Sequence, residues 1–106
     1  MAVIINAKNF ETEVMQSSLP VVIDVYAPWC GPCRMMMPLF DELSQELSAQ
    51  YKLCKINIDE ERDLAIKFNV SSIPTFLFFK NGALIAKETG GMNKDGLLKK
   101  IESHLK

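Results

Sequence analysis

Apolar positions recur along the chain with a period near 2 in some stretches and near 3.6 in others, the spacings of strands and helices. Ala2 to Ile5 suits a short edge strand. Phe10 and Val14 fall on one face of a helix that Asn9 would cap and the SSLP segment would end. Val21 to Ala27 is β-branched and apolar enough for a strand buried on both faces, closed by Pro28. From about Cys33, the positions Met36, Leu39, Phe40, Leu43 and Leu47 keep helical spacing, with a kink expected at Pro38. Leu53 to Ile58 alternates as a strand, and Asp59 could cap a short helix that turns Leu64, Ala65 and Phe68 inward. Thr75 to Lys80 and Ala83 to Lys87 are separated by Asn81-Gly82, a pair suited to a type I′ turn, so they should form an antiparallel hairpin. Asn93 would cap a last helix with Leu97, Ile101 and Leu105 as its apolar stripe. The order βαβαβαββα implies an α/β fold in which helices cover a mixed sheet.

Composition narrows the class. At 106 residues, with 48% apolar and 24% charged, the chain is expected to form a single domain over residues 1–106 around one core. Acids and bases are interspersed and the net charge is −1, which offers no electrostatic footprint for nucleic acid or an anionic membrane. Apolar runs such as VVIDVYA are too short to span a bilayer, and MAVIINAKNF lacks the basic start and long apolar middle of a secretory signal. The expectation is a soluble, cytoplasmic monomer.

The chain has 3 cysteines, too few for a disulfide-stapled secreted domain, and two of them lie close together at a strand-to-helix junction. At the start of a helix the first N–H groups are unpaired and the dipole's positive end is exposed, so a thiolate at Cys30 is stabilised there. Cys30 and Cys33, three apart, need only a small adjustment to close a disulfide, which lets the pair pass between dithiol and disulfide without moving the core. CxxC is also half of a zinc site, but the remaining donors, Cys54 and His104, are single and remote. A purely structural disulfide would close a loop too short to constrain the unfolded chain much. Redox chemistry is the reading preferred over both.

WCGPC at 29–33, Asp24 upstream, KINID at 55–59, IPT at 73–75 and FKNG at 79–82 together resemble the thioredoxin family over essentially the whole chain. The resemblance implies a thioredoxin fold, a central five-stranded mixed sheet flanked by four helices. It also implies an exposed nucleophilic cysteine at Cys30, a more buried resolving cysteine at Cys33, and Gly31 and Pro32 influencing the redox potential. Ile73-Pro74 resembles the family's cis-proline loop facing the cysteines, and Lys55 the lysine near its buried acid. No bound cofactor or metal is expected. The implied partners are disulfide-containing target proteins and a thioredoxin reductase as electron source. Tyr26 stands where tryptophan is frequent, Cys54 is extra, and Thr89-Gly90-Gly91-Met92 varies the loop beside the site.

Asp24 interrupts an apolar strand. Burial would raise its pKa and ready it to take a proton from Cys33, whose thiolate must attack the mixed disulfide. Trp29 is expected at the surface beside the site. Main-chain groups of the Ile73-Pro74 and Gly90-Gly91 loops would hold an extended target. Of Met35, Met36 and Met37 only Met36 fits the core stripe. Cys54 should be a buried, inert thiol, and His104 a residue of the last helical turn, with no catalytic company. Three functions compete: a protein-disulfide reductase with Cys30, Cys33 and Asp24 as its working groups, a thiol oxidase or isomerase on the same fold, and a non-enzymatic subunit or clamp. Gly31-Pro32 resembles the reducing members.

Overall fold

A computed structural model describes residues 2–106. Five strands, β1 (Val3–Ile4), β2 (Val21–Tyr26), β3 (Lys52–Asn57), β4 (Thr75–Lys80) and β5 (Ala83–Thr89), alternate with a π-helical turn (Glu11–Met15) and the helices α1 (Gly31–Glu46), α2 (Arg62–Lys67) and α3 (Lys94–Leu105). The strands form one sheet in the order β1-β3-β2-β4-β5. β3 runs parallel to both β1 and β2, whereas β4 is antiparallel to β2 and β5. This is the thioredoxin fold, with the βαβαβαββα order that the hydrophobic pattern predicts.

Alternation along β2 divides the core in two. Val22 faces Met36, Phe40 and Leu43 of α1 and Leu97, Ile101 and Leu105 of α3. Val21, Ile23 and Val25 face Phe10, Val14 and Leu64 on the other side. The central strand is thus apolar on both faces, and its C-terminal end delivers the chain to the start of α1. Asn81 and Gly82 take φ of +53° and +76°, as a type I′ turn requires, and join β4 to β5.

Two expected caps are different. Asn9 caps nothing downstream: its Oδ1 accepts the Asn6 N–H at 2.8 Å, while Asn6 Oδ1 accepts from Lys8 and Asn9 and starts the turn. Asp59 does not cap α2 either, for Glu61 occupies that position without a side-chain capping bond and the Asp59 carboxylate is engaged by Trp29. Asn93 does cap α3, accepting the Gly96 N–H at 2.7 Å. The long helix also begins two residues earlier than its apolar rhythm suggests, because Gly31 and Pro32 form its first turn. Proline is tolerated there, where its missing N–H would have had no helical partner.

Candidate active site

After β2 the chain passes Ala27, Pro28 and Trp29 and sets Cys30 at the N-cap of α1 with extended backbone, φ −86° and ψ 119°. Its Sγ accepts the Cys33 N–H at 3.3 Å, taking the place that a serine or aspartate oxygen has in an ordinary N-cap. A negative charge on that sulfur therefore meets a main-chain donor and the positive end of a four-turn helix. Cys33 is fully buried, and Cys30 keeps 7% of its surface. The implied exposed nucleophile is corrected accordingly: Cys30 is the more accessible of the two, yet it is tucked among Ala27, Tyr26, Ile58 and Ile73.

Ile73 comes from the other end of the sequence. The Ile73-Pro74 bond is cis, and the Ile73 carbonyl oxygen lies 4.0 Å from Cys30 Sγ. The Thr75 hydroxyl donates to Ser72 O at 2.6 Å, and the Gly90 N–H donates to Pro74 O at 2.8 Å, joining this loop to the turn after β5. That donor is thus engaged within the protein. Gly91 follows beside Pro32, and a Cβ at Gly91 would stand 3.9 Å from Pro32 Cβ and 4.0 Å from Met36 Sδ. Gly31, Pro32, Ile73, Pro74, Gly90 and Gly91 are thereby gathered around the cysteine pair.

Trp29 is 66% exposed, and its Nε1–H donates to both Asp59 oxygens at 3.1 and 3.3 Å. Sequence reasoning missed Asp59 as a site residue, since its position before a helix suggested a cap. Met35 is 78% exposed while Met36 is buried, as helical geometry requires. Two grooves flank the cysteines. One, of about 490 Å³, runs along α2 from Trp29 to Ile73, and the other, of about 410 Å³, lies between Pro32, Met35 and Met92.

Asp24 lies on the α1 side of β2, two residues beyond Val22, as Cys33 lies one turn nearer the helix start than Met36. It is 2% exposed and Oδ1 has no hydrogen-bond partner. Burial pushes its pKa from 3.8 up to about 7, the neighbouring Lys55 charge opposing the rise. Lys55 is paired with Asp24 in the β2–β3 register. Among the described residues no ion pair joins the two, and Lys55 acts on Asp24 through its charge at longer range. Tyr26, on the same strand face, has its phenol raised by burial and then by Glu60 and Asp24.

The remaining candidates lie elsewhere. Cys54 is buried on the opposite face of the sheet, and burial pushes its thiol up to about 12, so it holds its proton at neutral pH. His104 bonds Glu88 at 2.8 Å, tying α3 to β5. Among the described residues no group of three or more His, Cys, Asp or Glu could hold a metal ion, and no helix is long and apolar enough to cross a membrane.

A family model described as Thioredoxin matches residues 1–103. Among curated relatives, Thioredoxin 1 of Synechococcus elongatus is 40% identical over 105 residues, covering 99% of this chain and 98% of the relative. Thioredoxin of Haemophilus influenzae is 41% identical over 101 residues, covering 95% and 94% of the two chains. The chloroplastic M-type thioredoxin of Pisum sativum is 41% identical over 102 residues, 96% of this chain and 59% of the relative.

Proposed function

The chain belongs to the thioredoxin family and is a thiol–disulfide oxidoreductase that reduces disulfides by exchange, and from that premise we propose how its residues divide the work. The Cys30 thiolate attacks one sulfur of a target disulfide. A Cys30–target bond forms, the target S–S bond breaks, and the departing target thiolate takes a proton from solvent. Cys33 then gives its proton to the Asp24 carboxylate and attacks Cys30 Sγ. The Cys30–Cys33 disulfide forms, the second target sulfur leaves as a thiolate, and two electrons have passed to the target. Lys55 moderates the proton affinity of Asp24, and Gly31 with Pro32 sets the potential of the pair.

The observation that carries this reading is the Cys30 sulfur at the N-cap of α1, held by the Cys33 N–H at 3.3 Å. The partially accessible thiol is the attacker and the fully buried one the resolver. Trp29, the Ile73-Pro74 loop and the Gly90-Gly91 loop form the bed for an extended target segment. A thioredoxin reductase returns the pair to the dithiol, and the protein works as a monomeric single domain, a general electron carrier of the cytoplasm, with no bound cofactor.

Trapping tests the roles. Cys33→Ser should accumulate a covalent mixed disulfide with target proteins, visible by mass spectrometry, and Cys30→Ser should not. Equal trapping by both variants would remove the assignment. Failure of the wild-type chain at micromolar concentration to accelerate insulin reduction by dithiothreitol would remove the reductase itself.

A further inference from the structure

The two grooves beside the cysteines differ in polarity, one holding both an acid and a base and the other neither. The one near α2 is lined by Trp29, Asp59, Arg62, Ile66, Ser72 and Ile73, and the other by Pro32, Met35, Leu39, Gly91 and Met92, with no charged side chain among its lining residues. Arg62 is exposed, and among the described residues it makes no ion pair. Four carboxylates lie near it, Asp59 in the same groove and Glu60, Glu61 and Asp63 in the adjoining one, and none pairs with it. Asp59 receives the Trp29 indole on both oxygens, and Glu61 receives the Ala7 N–H at 3.0 Å. Glu60 and Asp63 line, with Ala7, Glu61 and Lys67, a second groove that Arg62 also borders. Among the described residues Arg62 is the one cation lining the Trp29–Ile73 groove, and Asp59 the one anion.

That groove opens at the reacting sulfur, since Trp29 precedes Cys30 and the Ile73 carbonyl is 4.0 Å from Cys30 Sγ. An extended chain advances about 3.3 Å per residue and alternates sides. With the attacked cysteine turned toward Cys30, the residues two before and two after it face the same way, about 7 Å to either side. Trp29 and Ile73 mark one groove beside Cys30, and Pro32 and Gly91 the other.

Resting on the reductase reading of the Cys30/Cys33 site, we infer that Arg62 is a specificity-determining residue. It selects target segments that carry an acidic side chain two residues from the attacked cysteine on the α2 side, with an apolar residue on the other flank. Arg62 touches no reacting atom in this role; it offers a guanidinium able to take a carboxylate in two hydrogen bonds. Exposed charge pairs change affinity by about 1.5- to 5-fold, and salt screens them.

The experiment uses the full reduced chain and peptides whose single cysteine is joined by a disulfide to thionitrobenzoate. Each peptide carries Glu, Gln or Lys two residues before or two after that cysteine, and release of the coloured thiol gives the second-order rate constant. For the wild-type chain the Glu peptide should react about two- to fivefold faster than the Lys peptide at one of the two positions, with the difference shrinking in high salt. Arg62→Glu should invert the order at that position. An unchanged Glu-to-Lys ratio in Arg62→Glu, or an equal preference at both positions, overturns the inference. No reduction of any peptide by either protein would overturn the reductase reading beneath it, a distinct result.

Discussion

Asp24 is the residue whose setting most strongly conflicts with its chemistry: a carboxylate in the middle of the sheet, with one oxygen unpartnered. The unfolded chain releases its proton near 3.8 and the folded chain near 7. Between those values the folded state holds a proton that the unfolded state has lost, so stability falls as pH rises through the window and levels off above it. A shift of this size corresponds to about 4 kcal/mol at most, from roughly 1.36 kcal/mol per unit. Asp24→Asn should therefore be more stable than the parent, with a margin that widens by about 2.5 kcal/mol between pH 5 and pH 8 in denaturant melts. The same variant should resolve the mixed disulfide on the order of tenfold more slowly or worse near pH 6, where hydroxide cannot replace the base, while initial attack by Cys30 is preserved. Rapid-mixing measurement of mixed-disulfide decay checks this. Unchanged resolution with lowered stability would make Asp24 a structural group.

At the scale of the element, the caps show what a sequence reveals. Asn93 accepts the Gly96 N–H at 2.7 Å, and Asn93→Ala should lower stability by about 1 kcal/mol, read as a shift in the denaturant midpoint without a change in slope. This cap was legible because donor and acceptor lie within one turn, with no competitor for the oxygen. The Asn81-Gly82 turn and the Leu97, Ile101, Leu105 stripe were legible for the same local reason. Asp59 was not, because the group that claims it, the Trp29 indole, is 30 residues away in sequence. Asn9 failed at short range: Asn6 supplies a better-placed oxygen, and the Asn9 side chain folds back to Asn6 N and Ile4 O. Cys30 and Cys33 were legible from spacing alone, but the cover over Cys30 depends on Ile73, brought in by the pairing of β4 with β2. The asymmetry of the two grooves had no local signature either.

At the scale of the whole molecule, α3 closes one face of the sheet through Leu97, Ile101 and Leu105, all buried against the cluster that includes Val22, Phe76 and Phe78. Each such side chain contributes about 1.5–3 kcal/mol by burial, so the three together approach the entire stability of a small domain, roughly 5–15 kcal/mol. A chain ending at Met92 should accordingly lose its cooperative thermal transition by calorimetry, and a sharp two-state melt would contradict this division of the core. The bond from Gly90 N–H to Pro74 O, with the Thr75 and Thr89 hydroxyls 3.3 Å apart, has another consequence. The segments that would receive a target from two sides are laced together into one arch. A change in either is transmitted to the other, so their contributions to recognition are not independent variables. Libraries that vary the two loops together should therefore reach target preferences that varying one loop at a time does not.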